Sequence, residues 1–120
     1  MTRTAAIIAA TLVGASVAAG ARASAPPVGP LPAGPHTIVT TKVGELVAVA
    51  LPHRSGGRAW RIARAFDSHL VTEASEADVG SNVVLVFKTH RAGTVTLSFA
   101  LTRGEAAKAY EAKTFEVHIR

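Results

Sequence analysis

Apolar residues return at every second position from Val95 to Leu101, with Thr94, Thr96, Ser98 and Ala100 between them. Successive side chains of an extended chain point to opposite faces, so this alternation predicts a strand with one buried and one wet face. The C-terminal run repeats the pattern, with Phe115, Val117 and Ile119 inward and Glu116, His118 and Arg120 outward, and is its expected partner. Upstream, Glu45 to Leu51 puts Val47, Val49 and Leu51 on one side and Leu46, Ala48 and Ala50 on the other. A strand apolar on both faces is expected at the centre of a sheet. Pro52 has no amide hydrogen for a ladder, so the chain should leave the sheet there through His53, Arg54, Ser55, Gly56 and Gly57. Beyond this glycine-rich loop Trp60 and Ile62 share a parity, which predicts a strand from about Arg58 to Phe66. Arg54, Arg58, Arg61 and Arg64 stand at helical spacing instead. The run is short for a helix and has sheet signals on both sides, so strand is preferred, with the arginines on a solvated surface.

The remaining segments fit the same plan. His36 to Val43 is rich in β-branched residues and reads as the first strand. His69 to Thr72 reads as a short edge strand, Glu73 to Asp78 as a polar crossing, and Gly80 as its turn residue. Val83 to Phe87 is a continuous apolar run, as in a buried strand, and Arg91-Ala92-Gly93 is a turn. Arg103 to Lys113 has helix-favouring composition and is expected as a mobile loop or one or two helical turns. About seven short strands at roughly ten-residue spacing, with a lone tryptophan on the third, predict an all-β fold: an immunoglobulin-like antiparallel β-sandwich.

The N-terminus does not belong to that plan. Arg3, an apolar run from Ala5 to Ala19 and Ala21-Arg22-Ala23 have the design of a cleavable secretory signal, so residues 1–23 are expected to be removed. Residues 24–35 hold five of the six prolines and should be an extended, flexible leader, leaving 36–120 as the one folded domain. Without residues 1–23 the charge falls to 11 Lys and Arg against 8 acids, a weak pointer to any partner. Export without a single cysteine means stability from packing alone. A secreted or periplasmic monomer of a bacterium, with no membrane attachment after cleavage, fits this best.

No catalytic set emerges. His53, Ser55 and Asp67 lack a nucleophile-elbow glycine pattern. The five histidines, His36, His53, His69, His90 and His118, are scattered without an i,i+4 pair, so neither a metal site nor a cofactor is expected. Aromatic residues are too few for stacking on nucleic acid. What remains is a non-enzymatic role: recognition by loops at one end of a sandwich.

Gly44-Glu45-Leu46-Val47, Leu51-Pro52 and Gly57-Arg58-Ala59-Trp60, with Ala92-Gly93-Thr94 and Phe115-Glu116-Val117 further on, resemble the chagasin family of cysteine protease inhibitors. The resemblance spans about Thr37 to Arg120. It implies a sandwich whose three loops at one end occupy the cleft of papain-like cysteine proteases. The implied contact residues are His53, Arg54, Ser55, Gly56 and Gly57 in the first loop, Gly80 and Ser81 in the second, and Arg103 and Gly104 in the third. The family's Asn-Pro-Thr-Thr-Gly loop survives here only in Gly57, with Ser55 and Gly56 where the threonines stand. Of its Gly-x-Gly-Gly only Gly80 remains, and its Arg-Pro-Trp has no counterpart beyond Arg103-Gly104. Two functions stay open: an inhibitor, or a non-inhibitory module of the cell envelope that kept the scaffold.

Overall fold

The computed structural model describes residues 27–120. The expected signal, residues 1–23, lies outside the described residues. Seven strands follow in order: β1 (His36–Thr41), β2 (Leu46–Pro52), β3 (Arg58–Ile62), β4 (Val71–Val79), β5 (Asn82–Thr89), β6 (Gly93–Arg103) and β7 (Glu111–Ile119). They form a four-stranded sheet in the order β1-β7-β6-β3 and a three-stranded sheet in the order β2-β5-β4. All pairs are antiparallel except β1 with β7, which run parallel. The described residues contain no helix, and the fold is the all-β sandwich that the strand spacing predicts.

The core is what the period-two positions supply. Val47, Val49 and Leu51 of β2, Leu85 and Phe87 of β5, and Val71 of β4 face Val95, Leu97 and Phe99 of β6 and Phe115, Val117 and Ile119 of β7. All four phenylalanines of the chain form one run through this interface. Phe66 meets Phe87 edge-on at 5.9 Å between ring centroids, and Phe87 meets Phe99 at 6.3 Å. Phe99 in turn meets Phe115 edge-on at 5.8 Å. Edge-to-face pairs set a ring's positive rim against its neighbour's negative face, adding to the area they bury.

A turn motif fastens β1 to β2 and both to β5. Gly44 takes a left-handed φ of 90°, and the Glu45 carboxylate accepts from the Thr41 hydroxyl at 3.0 Å and the Lys42 amide at 3.2 Å. Buried Thr89 donates its hydroxyl to the Lys42 and Glu45 carbonyls, both at 2.9 Å. The Gly-Glu pair that carries part of the family resemblance is therefore a scaffold feature.

Four expectations need correction. β2 is an edge strand, not a central one: Leu46 is 61% exposed, and Ala48 and Ala50 also face solvent. Alanines on an outer face cost little there, so apolar composition on both sides does not by itself centre a strand. Second, the polar crossing Glu73 to Asp78 is strand, the body of edge strand β4, with a bulge between Glu73 and Ser75. Acidic side chains and a bulge on an open edge discourage pairing with another chain. The Glu73 carboxyl is pushed up to about 7 by loss of water and then by the Glu76 charge, although the residue as a whole remains exposed. Third, of the two alternatives for Arg103 to Lys113 the loop stands and the helical turns do not: residues 104–110 are loop, while Arg103 and Glu111 to Lys113 belong to the flanking strands, leaving a segment too short to repay helix nucleation. Fourth, the flexible leader is docked from Pro27 onward. Val28 is buried, its neighbour Gly29 donates its amide to the Ala107 carbonyl at 2.8 Å, and the Pro35 carbonyl accepts from the Thr114 amide at 3.0 Å.

Phe87→Ala removes the ring that links the two sheets and should cost about 3–5 kcal/mol in urea unfolding. A loss below about 1 kcal/mol would show that the phenylalanine run does not support the sandwich.

Candidate functional site

Three connections meet at one end because of register. Pro52 of β2 pairs with Asn82 of β5, which sets the β2–β3 loop beside the β4–β5 turn. Arg58 of β3 pairs with Arg103 of β6, which sets that same loop beside the β6–β7 loop. All nine residues that the family resemblance marks as contacts thus lie at or next to these three tips: His53, Arg54, Ser55, Gly56, Gly57, Gly80, Ser81, Arg103 and Gly104.

The first loop is anchored at both ends and open at its crest. His53 donates its amide to the Ser81 carbonyl at 2.9 Å, and its Nε2 lies 3.1 Å from an Asp78 carboxylate oxygen. Arg54 reaches the start of β7 in a two-pronged pair, Nε to Glu111 Oε2 at 2.7 Å and Nη2 to Oε1 at 3.0 Å. Trp60 packs against the core, and its indole N–H donates to the Pro52 carbonyl at 2.7 Å, closing the loop's base. At the crest Ser55, Gly56 and Gly57 are exposed. Gly56 and Gly57 have φ of 81° and 73°, a left-handed backbone that side chains with a Cβ disfavour. A Cβ at either would meet nothing within 4 Å, so conformation, not crowding by this chain, demands glycine there.

The second tip is a tight turn with Gly80 at φ 60° and Val79 beside it, 56% exposed. Sequence reading passed over Val79 because it sits in a run of polar residues. It is the large apolar side chain that this end presents to solvent.

The third loop is held from beneath. Arg61 donates from Nε to the Thr102 hydroxyl at 3.2 Å and from Nη2 to the Ala106 carbonyl at 2.9 Å. The Thr102 hydroxyl donates to the Gly104 carbonyl at 2.7 Å. The Arg58 guanidinium carbon stands 3.8 Å from the centre of the Tyr110 ring, and the Lys108 amine 4.9 Å. The Arg58 Nε is buried without a hydrogen-bond partner among the described residues, and the ring face lies against the same guanidinium. Arg54, Arg58, Arg61 and Arg64, expected as a solvated surface, are each engaged. Arg54 and Arg58 stand at the tip end, Arg61 reaches back to the third loop from within β3, and Arg64, past the far end of β3, bonds the N-terminal segment.

Electrostatically the site is a set of internal pairs. The Arg54 hydrogen bond, and then its charge, hold the Glu111 carboxyl below its ordinary value, while Glu111 raises the already high value of Arg54. Among the described residues no group of His, Asp or Glu is placed to hold a metal.

The sandwich is chagasin-like in fold, as the solved structures it aligns with show. No family model and no curated protein matches the sequence. Solved structures share the fold, among them two inhibitor-type proteins. The cysteine protease inhibitor EhICP2 from Entamoeba histolytica aligns with a TM-score of 0.57 at 19% identity, over 74% of this chain and 99% of its own. PbICP-C, solved in complex with falcipain-2, aligns with a TM-score of 0.56 at 14% identity, over 78% of this chain and 96% of its own. At these identities the likeness establishes the fold.

The Arg54–Glu111 pair gives a pH test. Glu111's folded pKa lies below its unfolded one, so its contribution is complete above the ordinary value of 4.5 and disappears as pH falls through the lowered folded value. Glu111→Gln should lower the melting temperature at pH 7, less so at high salt because the pair is exposed, and converge with the wild type in strong acid. Equal melting temperatures at pH 7 would remove the pair's role in tying the first loop to β7.

Proposed function

We propose that this chain is an exported inhibitor of papain-like cysteine proteases that blocks the active-site cleft with the three clustered loops. The observation that carries the reading is the first loop. Its ends are fixed by His53, Arg54 and Trp60, while its Gly56-Gly57 crest has open space around it. A backbone without side chains comes closer to a catalytic thiol than any other, and a loop already fixed loses little entropy on docking. The cysteine protease inhibitor EhICP2 has the same fold, which supports the reading at the level of architecture. The chain acts as a binding protein, not an enzyme, and works as a monomer. A secreted or periplasmic location rests on the N-terminal signal pattern.

Two observations favour the second reading, a non-inhibitory envelope module. Arg54 and Arg58 are engaged within the chain, and the third loop carries no tryptophan. Buried interface tryptophans are among the residues that carry most binding energy, often over about 2 kcal/mol each.

Titration of papain with the purified chain separates the two. The inhibitory reading expects peptidase activity to fall at micromolar protein or below, and full activity at that concentration supports the envelope module. Gly57→Asn keeps a residue tolerant of left-handed backbone while filling the open side, so it should weaken inhibition at least about tenfold with little change in melting temperature. Gly57→Val should lower both inhibition and stability, because a β-branched side chain is strained at φ 73°.

A further inference from the structure

Residues 98, 100, 102 and 112 pose a question that the sandwich core does not answer. Ser98, Ala100 and Thr102 of β6 and Ala112 of β7 have the outward parity, yet all four are buried. Thr94 and Thr96, of the same parity at the other end of β6, are exposed. Something covers the outer face of the four-stranded sheet at its loop end and only there. The segment from Pro27 to Pro35 runs over it. Gly34 lies so close to the Ala112 carbonyl that a Cβ would collide with it, and Val28 is only 7% exposed in a segment with little else to bury.

This segment is clasped, and the clasp continues into the third loop. Arg64, just beyond β3, donates from Nη1 to the Val28 carbonyl at 3.1 Å and the Ala63 carbonyl at 2.9 Å, and from Nη2 to the Gly29 carbonyl at 3.0 Å. One planar guanidinium thus joins the end of β3 to two successive carbonyls of the N-terminal segment, a fork that an ammonium group does not reproduce. Gly29 then passes the restraint on, its amide donating to the Ala107 carbonyl at 2.8 Å. Close packing is exacting here too, since a Cβ on Gly29 would lie 3.3 Å from that same oxygen. On its other side the loop is pinned by Arg61 at the Glu105 and Ala106 carbonyls.

We infer that residues 27–35 are a strap that fixes the third loop, with Arg64 as its positioning residue, so that the N-terminal segment sets the strength of inhibition. The link to inhibition rests on the reading proposed above; the strap itself does not. The physical reason is pre-organisation. Held only from beneath, by Arg61, the Thr102 hydroxyl and the Arg58–Tyr110 contact, residues 104–110 keep more of the conformational freedom that docking must remove; held by the strap as well, they meet a partner already ordered. A segment whose composition reads as a spacer is then part of the binding end.

The test uses the full chain and two readouts. Arg64→Ala should speed hydrogen exchange at the Gly29 amide and across residues 104–110 at least about tenfold, while the Leu97, Phe99 and Val117 amides of the core keep wild-type protection. Arg64→Lys should recover little of it. Gly29→Ala, which sets a Cβ 3.3 Å from the Ala107 oxygen and leaves Arg64 in place, should disturb the same contact and speed exchange across 104–110 in the same direction. If Arg64→Ala fails to fold, Val28→Ser loosens the strap without touching β3 and serves in its place. Exchange across 104–110 within twofold of wild type in these variants overturns the strap. The second readout is papain inhibition by these variants, expected to weaken at least about fivefold. Faster exchange with inhibition within twofold of wild type overturns the link between strap and inhibitory strength. A wild type that leaves papain fully active defeats the inhibitory reading, and with it that link, while the exchange data still decide the strap.

Discussion

The structure depends on two sheets staying in contact without covalent help. The chain has no cysteine, and the described residues supply only one modest core, so face-to-face packing of the period-two positions must hold the sheets together. The phenylalanine run is where that packing concentrates. Phe87 belongs to the three-stranded sheet and Phe99 and Phe115 to the four-stranded one, with Phe66 entering from the connection after β3. Sliding one sheet over the other would break these ring contacts and shift Pro52 and Asn82 relative to Arg58 and Arg103. The meeting of the three tips is therefore a consequence of core packing, not a separate property of the loops.

Given that placement, arginine does most of the remaining work. Arg54 ties the first loop to β7, Arg58 covers Tyr110, Arg61 reaches carbonyls of the third loop, and Arg64 reaches those of the N-terminal segment. Loop carbonyls at a sheet end have no ladder partner, and a guanidinium with five donors in a plane can satisfy several at once. These arginines serve the fold at the end where a partner would dock. Arg54 meets an opposite charge at Glu111, whereas the carbonyls that Arg61 and Arg64 reach are neutral and leave their positive charge in place, alongside that of exposed Arg103 and Lys108.

Legibility followed from how local each signal was. The alternations in β6 and β7 and the turn glycines are statements about neighbours in sequence, and the structure bears out the strands they predict. Where the outcome depended on what lies across space, the pattern misled. Leu46, Ala48 and Ala50 made β2 look two-faced because alanine is silent about its surroundings. Glu73 to Asp78 hid a strand because an edge needs only one buried position, here Val71. Ser98 and Ala100 seemed wet because the segment docked at that end of the sheet, against Ala112 and Arg64, is over 60 residues away in sequence, in a stretch whose prolines and glycines suggested no packing. The arginine spacing suggested either helix or solvent, and no local rule connects a strand-end arginine to a distant carbonyl. For the site, the first loop was legible through its glycines, while Val79 was not, since one valine in a polar stretch carries no pattern.

The glycine pair narrows what this end can do. Left-handed backbone at Gly56 and Gly57 is needed to reverse the chain between β2 and β3, so a turn alone would account for the residue type. A turn alone does not account for three independent restraints on the loop's base, from Ser81, Glu111 and Trp60, at a tip with nothing above it. Ordering an exposed reversal so firmly costs conformational entropy that the fold does not recover by burying the crest. A partner that met the crest would find that ordering cost already met by the chain's own contacts. With no aromatic side chain on the three crests, that partner would have to be gripped by shape, by backbone amides and carbonyls, and by Val79. Affinity built this way is sensitive to loop rigidity, which makes the restraints beneath the crests matter as much as the residues upon them.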